Sequence, residues 1–369
     1  MKKKVLFLIH DLAQGGAEKV LVNLANYLNP DKYDVTVHAL FGGGVNQQFL
    51  KPHVKYNESF KKAIRGNSKL MKILTPKQLY SWLIKDRFDI VVAYLEGPSA
   101  RIISGCQDPK VKRISWVHIT QKTTKCASKS FRSYHEAMVC YGNFDKLVAV
   151  SESVKKDFDS LFPGCQDTCV LYNTNDTNSI LEKVGETHAV TFSDNQFNIV
   201  QVGKIENSKG FDRLIPVVKK LCQSGISPHV YILGIGPEKA ALQRKFDAHK
   251  ISKNFTFLGY QENPYAVISK ADLFVCSSHR EGFSTATTEA LILGVPVVAT
   301  NVGGMKEMLG NNNEYGVVVE NDVELTDTIV RLANDPQLLE YYRRQSMTRG
   351  KDFGIRKTVQ AVEEMFDSL

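Results

Sequence analysis

Short runs of consecutive apolar residues recur along the chain and alternate with stretches whose apolar positions return every three or four residues. In the first half the apolar runs are Val5–Ile9, Val35–Leu40, Ile90–Tyr94, Arg113–Val117 and Lys146–Val150. Such unbroken runs predict strands buried on both faces. Helices are expected between them, with Ala17–Leu28 and Lys77–Asp86 the clearest. Strand and helix in alternation predict a parallel sheet with crossover helices. The polar, basic and glycine-punctuated segment Gly42–Ser68 is expected to be a mobile loop.

The series then restarts. Asn198–Val202, Val230–Leu233, Phe255–Leu258, Leu273–Cys276, Val295–Ala299 and Gly316–Val319 are expected strands. Phe211–Gln223, Glu238–His249, Thr285–Leu293 and Asp322–Leu332 are the helices between them. The polar stretch Thr174–Asn195 is the expected hinge, and Gly354–Leu369 a closing helix. The pattern thus predicts an α/β chain of two Rossmann-like, doubly wound parallel-sheet domains, residues 1–180 and 195–353. Residues 354–369 are expected to return toward the first domain. Ligands of such sheets bind at the carboxyl ends of the strands, so a cleft between the two domains is the expected site.

Composition narrows the class. A chain of 369 residues suits two domains, and an apolar share of 43% can build two cores. No apolar run reaches the roughly 18–20 residues that cross a bilayer. The apolar run after Lys2–Lys4 stops at His10-Asp11, too soon for a signal-peptide core, and reads as a first strand. Seven cysteines at irregular spacing argue for reduced thiols in the cytoplasm, with Cys165 and Cys169 inert. Of the +8 net charge, residues 1–190 hold 27 basic and 18 acidic side chains, with most of the excess between Lys51 and Arg132. A solvated face is one reading of that excess. The other is an anionic partner, a membrane surface at the inner face of the cell membrane or a lipid-phosphate substrate. Nucleic acid is disfavoured, because no aromatic stacking pattern runs among the basic residues.

The segment Cys276–Gly304 carries the most chemistry. A strand ends at Cys276, a loop holds Glu281 and Gly282, and a helix starts near Ser284 and ends at Gly294. The amides of Phe283, Ser284 and Thr285 would then lie at a helix N-terminus, which favours a phosphate or another electron-rich oxygen. Glu289 sits just over one turn into that helix and leans back toward the same end. Two carboxylates so placed suit hydroxyl recognition. Each taken alone also reads as an ordinary surface charge.

Together these residues resemble a known signature. Glu281 and Glu289, framed by Glu281-Gly282-Phe283-Ser284 and Gly294-Val295-Pro296-Val297-Val298-Ala299, resemble the large retaining glycosyltransferase family 4 of the GT-B fold. Gly15-Gly16-Ala17-Glu18 looks like its N-terminal glycine loop, and Trp116-Val117-His118 like its histidine turn. Val202-Gly203-Lys204 with Lys209-Gly210-Phe211 is similar to its phosphate-binding segment. Gly310–Gly316 resembles members that build bacterial surface polysaccharides, including capsule and lipopolysaccharide. The resemblance implies that Lys204 and Lys209 neutralise a nucleotide diphosphate, although the family usually has arginine at the first position. It implies that Glu281 contacts the donor sugar, that Glu289 holds the ribose, and that Phe283, Ser284 and Thr285 offer backbone amides. Gly259 and Tyr260 are placed near the base, with a plain strand-end turn as the other reading. Gly15 and Gly16 would let the backbone approach the diphosphate, and His118 would hydrogen-bond the transferred sugar.

The implied activity is metal-independent retaining transfer of a hexose or N-acetylhexosamine from a nucleotide-sugar, UDP-linked, to a glycan or lipid-linked acceptor. The nucleotide-sugar is a substrate, and no cofactor is expected. Asp157-Phe158-Asp159 has the spacing of a metal-binding pair in another glycosyltransferase fold, but it follows Ser151–Lys156 in an expected helix and reads as surface charge. His135-Glu136 lacks the second histidine of a zinc-protease helix. Other readings of the same architecture are a nucleotide-sugar epimerase, a glycoside phosphorylase or a non-catalytic partner subunit.

Overall fold

The computed structural model describes residues 2–62, 71–165, 168–186, 190 and 192–369. Two compact units divide the chain: Met1–Thr174 with Ile355–Leu369, and Asn175–Gly354. Each is built on one parallel sheet.

The first unit holds seven strands: β1 (Lys3–Ile9), β2 (Tyr33–Phe41), β3 (Lys55–Phe60), β4 (Ile90–Ala93), β5 (Lys112–Val117), β6 (Lys146–Ala149) and β7 (Thr168–Val170). Their order across the sheet is β3-β2-β1-β4-β5-β6-β7. Val5 through Ile9 are fully buried, which is why this central strand is apolar on both faces. Its longer described helices are α1 (Gly16–Tyr27), α2 (Pro76–Leu83), α3 (Pro98–Ile103), α4 (Tyr134–Gly142) and α5 (Glu152–Leu161). The last helix of the chain, Ile355–Asp367, packs on this unit. Its Phe366 ring lies 5.7 Å from Tyr33 and 6.3 Å from Phe7, and the Tyr33 hydroxyl donates to Asp367 at 3.0 Å.

Part of the expected mobile loop Gly42–Ser68 is ordered. It contains a short 3-10 turn, Val45–Phe49, and the edge strand β3, registered against β2 from Thr36↔Lys55 to Phe41↔Phe60. Residues 63–68 of that expectation lie outside the described residues.

The second unit holds β8 (Phe197–Val202), β9 (Pro228–Leu233), β10 (Phe255–Gly259), β11 (Leu273–Cys276), β12 (Val297–Thr300) and β13 (Val317–Val319), in the order β10-β9-β8-β11-β12-β13. Its longer helices are α6 (Thr177–Glu182), α7 (Leu214–Gln223), α8 (Lys239–Ala248), α9 (Thr285–Ile292), α10 (Asp322–Asn334) and α11 (Pro336–Gly350). Ile199, Leu214, Val217, Ile232, Leu273 and Ile329 are fully buried between sheet and helices. Each such side chain contributes roughly 1.5–3 kcal/mol on leaving water. Helix α6 lies within the expected hinge, and it belongs to the second unit through Asn175, which meets Thr288, and Lys183, whose carbonyl accepts from Asn263 at 2.7 Å.

Both sheets reverse their strand order once, between β1 and β4 and between β8 and β11. Right-handed crossovers then leave from opposite faces on either side of that point, and the loops diverge at the carboxyl ends. Among the described residues, no helix is long and apolar enough to cross a membrane.

Candidate functional site

In the second unit the reversal point lies between the ends of β8 and β11, at Val202 and Cys276. The loop after β8 carries Lys204 and Lys209, and the loop after β11 carries Glu281. Lys209 Nζ donates to Glu281 Oε1 at 2.6 Å, and Ser278 Oγ donates to the same oxygen at 2.7 Å. Glu281 Oε2 takes part in neither bond. Burial pushes the Lys209 ammonium down, but the Glu281 carboxylate, with Cys276 and Glu206 adding to it, holds the lysine above its usual range. The buried Cys276 thiol, 3.9 Å from Glu281, is pushed up first by burial and then by that carboxylate. It is therefore a poor thiolate and a neutral wall of the site.

The two loops are tied together by side-chain and backbone hydrogen bonds. Gln201 Nε2 donates to the Lys209 carbonyl and to Ser277 Oγ, both at 2.9 Å, and Ser277 Oγ donates to the Gly210 carbonyl at 2.7 Å. The His279 amide donates to the Ser208 carbonyl at 2.7 Å. Gly210 is left-handed, φ 60°, and a Cβ there would stand 2.2 Å from the Ser277 carbonyl oxygen. Only glycine permits this approach of the two loops. A second contact fixes the carboxylate loop from behind. Gly303 has φ 51°, a Cβ on it would lie 2.6 Å from the Glu281 and Gly282 carbonyl oxygens, and the Gly304 amide donates to Gly282 at 2.8 Å.

Ser284 caps α9 by accepting the Thr287 amide, at 3.3 Å, so the helix that follows Glu281 starts where the sequence places it. Phe283 turns its ring inward, 5.9 Å from Phe353, and Thr285 opens the helix. Glu289 is buried, 4% exposed, and within 3.4 Å of the Tyr265 hydroxyl. It is no solvated helix charge. Lys204 stands apart from this cluster: its side chain is 63% exposed and its ammonium lies 3.5 Å from Glu206. Gly259 ends β10 at φ 69° where the register with β9 shifts, and Tyr260 after it is exposed.

In the first unit the reversal point lies between the ends of β1 and β4. The chain leaves β1 through His10 and Asp11, whose ring and carboxylate meet at 2.7 Å, and Asp11 accepts the Ala13 amide at 2.9 Å. The histidine contact first, and that amide after burial's opposing effect, hold Asp11 below the usual carboxylate range. Gly15 is the N-cap residue of α1, and Gly16 is its first residue. A Cβ on Gly15 would fall 1.8 Å from a Glu18 carboxylate oxygen, so the glycine lets that side chain fold back over the helix start.

His118 follows β5. Its amide donates to Glu96 Oε2 at 2.9 Å, and its ring lies 4.8 Å from the Tyr94 ring. Burial pushes its pKa down to about 3, against a bond to the Tyr94 carbonyl that raises it. Nε2 is buried and has no hydrogen-bond partner among the described residues. In the tautomer that carries its proton on Nδ1, Nε2 holds a lone pair that can accept from a hydroxyl. At that pKa the imidazole is neutral near pH 7.

Two carboxylates had no sequence signal of this role. Glu96, just past the end of β4, accepts from the His118 amide and from Gln121 Nε2 at 3.3 Å. Its position after a strand at the reversal point was the available clue. Asp157, read as surface charge, instead accepts the Gln121 and Lys122 amides at 2.6 and 3.1 Å, and so anchors the loop after His118. Asp159 takes the Thr168 hydroxyl at 2.6 Å. Glu136 binds Arg101. Cys106, Cys126, Cys140, Cys165, Cys222 and Cys276 are free thiols. Among the described residues, no group of three or more His, Cys, Asp or Glu side chains is gathered as a metal site.

The comparisons with known proteins cover both units. Residues 14–179 match the model described as Glycosyltransferase Family 4, and residues 186–349 match Glycosyl transferases group 1. The chain is 25% identical to the N-acetylgalactosamine-N,N'-diacetylbacillosaminyl-diphospho-undecaprenol 4-alpha-N-acetylgalactosaminyltransferase of Campylobacter jejuni, over 96% of each chain. It is 25% identical to the lipopolysaccharide core biosynthesis glycosyltransferase LpsD of Rhizobium meliloti, over 90% of this chain and 89% of that one. Anabaena HepE, solved in complex with UDP and glucose, shares the fold over 100% of both chains, with a TM-score of 0.78 at 19% identity. With its two halves matched in order and the GT-B fold shared along its length, the chain belongs to the family 4 glycosyltransferases.

Proposed function

We propose that this glycosyltransferase moves a hexose or N-acetylhexosamine from a UDP-linked donor to a hydroxyl of a glycan or lipid-linked acceptor during bacterial surface-polysaccharide synthesis. The observation that carries this reading is the Lys209–Glu281 pair at the reversal point of the second sheet. An arriving diphosphate competes with Glu281 for the lysine. Its charge replaces the carboxylate beside Lys209, and Glu281 is released to accept sugar hydroxyls. The uridine ligand bound by HepE and the diphospho-undecaprenol acceptor in the Campylobacter relative's name support the two substrate classes.

In this reading Lys204, exposed and able to swing from Glu206, joins Lys209 on the diphosphate. The α9 start at Phe283, Ser284 and Thr285 offers amides, Glu289 takes the ribose, and Gly259 with Tyr260 lies by the base. Gly15 and Gly16 let the backbone approach the diphosphate, and His118 Nε2 accepts from a hydroxyl of the transferred sugar. As the glycosidic bond loosens, the leaving oxygen gains charge that the lysines and helix amides stabilise. The acceptor hydroxyl attacks from the face the diphosphate leaves, and a diphosphate oxygen takes its proton, so the anomeric configuration is retained without a metal ion. The protein works at the inner face of the cell membrane through contact with anionic lipid.

Purified protein incubated with UDP-sugars and an undecaprenyl-diphosphate-linked acceptor tests this. An α-linked product from an α-linked donor, unchanged by EDTA, is expected. A β-linked product or loss of turnover with EDTA would overturn the stereochemistry or the metal independence. Donor epimerised without acceptor would favour the epimerase reading.

A further inference from the structure

Between Lys51 and Arg87 the sequence holds ten basic and two acidic residues, an excess of eight that equals the formal net charge of the whole chain, +8. The remainder of the chain is balanced. This one stretch therefore sets the sign of any attraction to an anionic surface.

The same stretch displays large apolar side chains. Ile73 is 70% exposed and Trp82, on α2, is 49% exposed, whereas Leu79 and Leu83 of that helix are buried. Lys77 and Lys85 are exposed on the same helix and just beyond it, and Lys61 and Lys62 are exposed after β3. Single exposed apolar residues are common. Here the backbone that carries Ile73 is held with unusual care.

Four consecutive carbonyls, Met71 to Leu74, each accept from a guanidinium. Arg101, 1% exposed, donates to Met71 at 2.9 Å and to Leu74 at 2.8 Å. Arg132 donates to Lys72 at 2.6 Å and to Ile73. Glu136 balances one of the two charges: it accepts from Arg101 at 2.8 and 3.0 Å and from the Arg132 amide at 2.6 Å. Thr75 then starts α2 with a capping box to Gln78. A turn fixed by two arginines, one of them buried, cannot collapse to hide Ile73. The Ile73 side chain is 70% exposed beside that bonded backbone.

We propose that the turn 71–74 and helix α2 form the surface by which the first unit docks on an anionic lipid bilayer. Ile73 and Trp82 enter the interfacial layer, and the flanking lysines meet lipid phosphates while their aliphatic stems cover apolar surface. This rests on the membrane contact proposed above and names its seat. A phosphate-binding pocket for a soluble acceptor would need the lysines but not two exposed apolar anchors. Trp82, edge-on to Phe60 at 5.7 Å, has the amphipathic ring that interfaces select.

The chain has two tryptophans, and Trp116 is buried, 2% exposed, so Trp82 is a built-in reporter. The full chain, without donor or acceptor, is mixed at low salt with vesicles of phosphatidylcholine alone or containing phosphatidylglycerol. Sedimentation and a blue shift of tryptophan emission are expected with phosphatidylglycerol only. Ile73→Ser should weaken vesicle affinity about tenfold. Trp82→Phe should abolish the blue shift, and both variants should keep the wild-type unfolding midpoint, since neither side chain is in the core. Failure of the wild type to sediment would overturn the proposal. So would sedimentation with unshifted emission, or with Ile73→Ser binding like wild type. Any of these results leaves donor chemistry, measured without lipid, untouched.

Discussion

Lys209 and Glu281, 72 residues apart in sequence, meet at 2.6 Å because they leave the two adjacent central strands of one sheet, β8 and β11. Their side chains are only 24% and 12% exposed, so the pair is shielded enough for its partners to depend on each other. A double-mutant cycle on Lys209→Met and Glu281→Gln, read by urea unfolding, should give a coupling of about 0.5–3 kcal/mol. Additive single effects would show that the contact is not made in solution.

Gly210→Ala addresses the joint between the two loops. The left-handed backbone disfavours any side chain, and the new Cβ would press on the Ser277 carbonyl oxygen. A loss of about 2 kcal/mol in unfolding free energy is expected, more than conformation alone would cost. UDP binding, followed by calorimetry, should weaken with it.

His118 gives a pH signature. Its folded pKa of about 3 lies below the unfolded value of about 6.5, so the unfolded chain binds the proton first. The stability it contributes is complete above pH 6.5 and falls as pH drops toward 3. Relative to His118→Gln, the wild type should lose up to about 1 kcal/mol per pH unit between pH 6 and 4. A constant difference across that range would mean that the ring titrates normally.

Asp157 holds the loop after His118 by accepting two amides. Asp157→Ala should free them, at a cost of roughly 1–3 kcal/mol, and hydrogen exchange at Gln121 and Lys122 should accelerate. Unchanged protection at both amides would remove Asp157 from this role.

The strands that were legible in sequence are those whose residues are buried on both faces, such as Val5–Ile9 and Leu273–Cys276. Strand β3, Lys55–Phe60, was missed because it is an edge strand with exposed Lys55, Asn57 and Glu58, and so it carries no apolar run. Helix α11 was missed for a similar reason: in its fifteen residues only Tyr342, Ser346 and Gly350 are buried. At the site, Glu281, Ser284 and Lys209 sit where spacing places them, at strand exits and a helix start. Glu96 and Asp157 were harder to find because the amides they accept come from another loop. Ser278 binds Glu281, but nothing in the pattern of a strand exit says which hydroxyl will face a carboxylate. The burial of Glu289 depends on Tyr265, 24 residues away. Spacing finds residues that share an element. It does not find those that folding brings together.

The central claim is that the Lys209–Glu281 pair handles the donor of a glycosyl transfer. Its most direct test is UDP release from a panel of UDP-sugars by purified wild type, Lys209→Ala and Glu281→Ala, each checked for an unchanged circular dichroism spectrum. The wild type should turn over at least one donor, and both variants should lose at least about a hundredfold, the scale on which an electrostatic contact in a transition state acts. Wild-type rates in both folded variants would contradict the account.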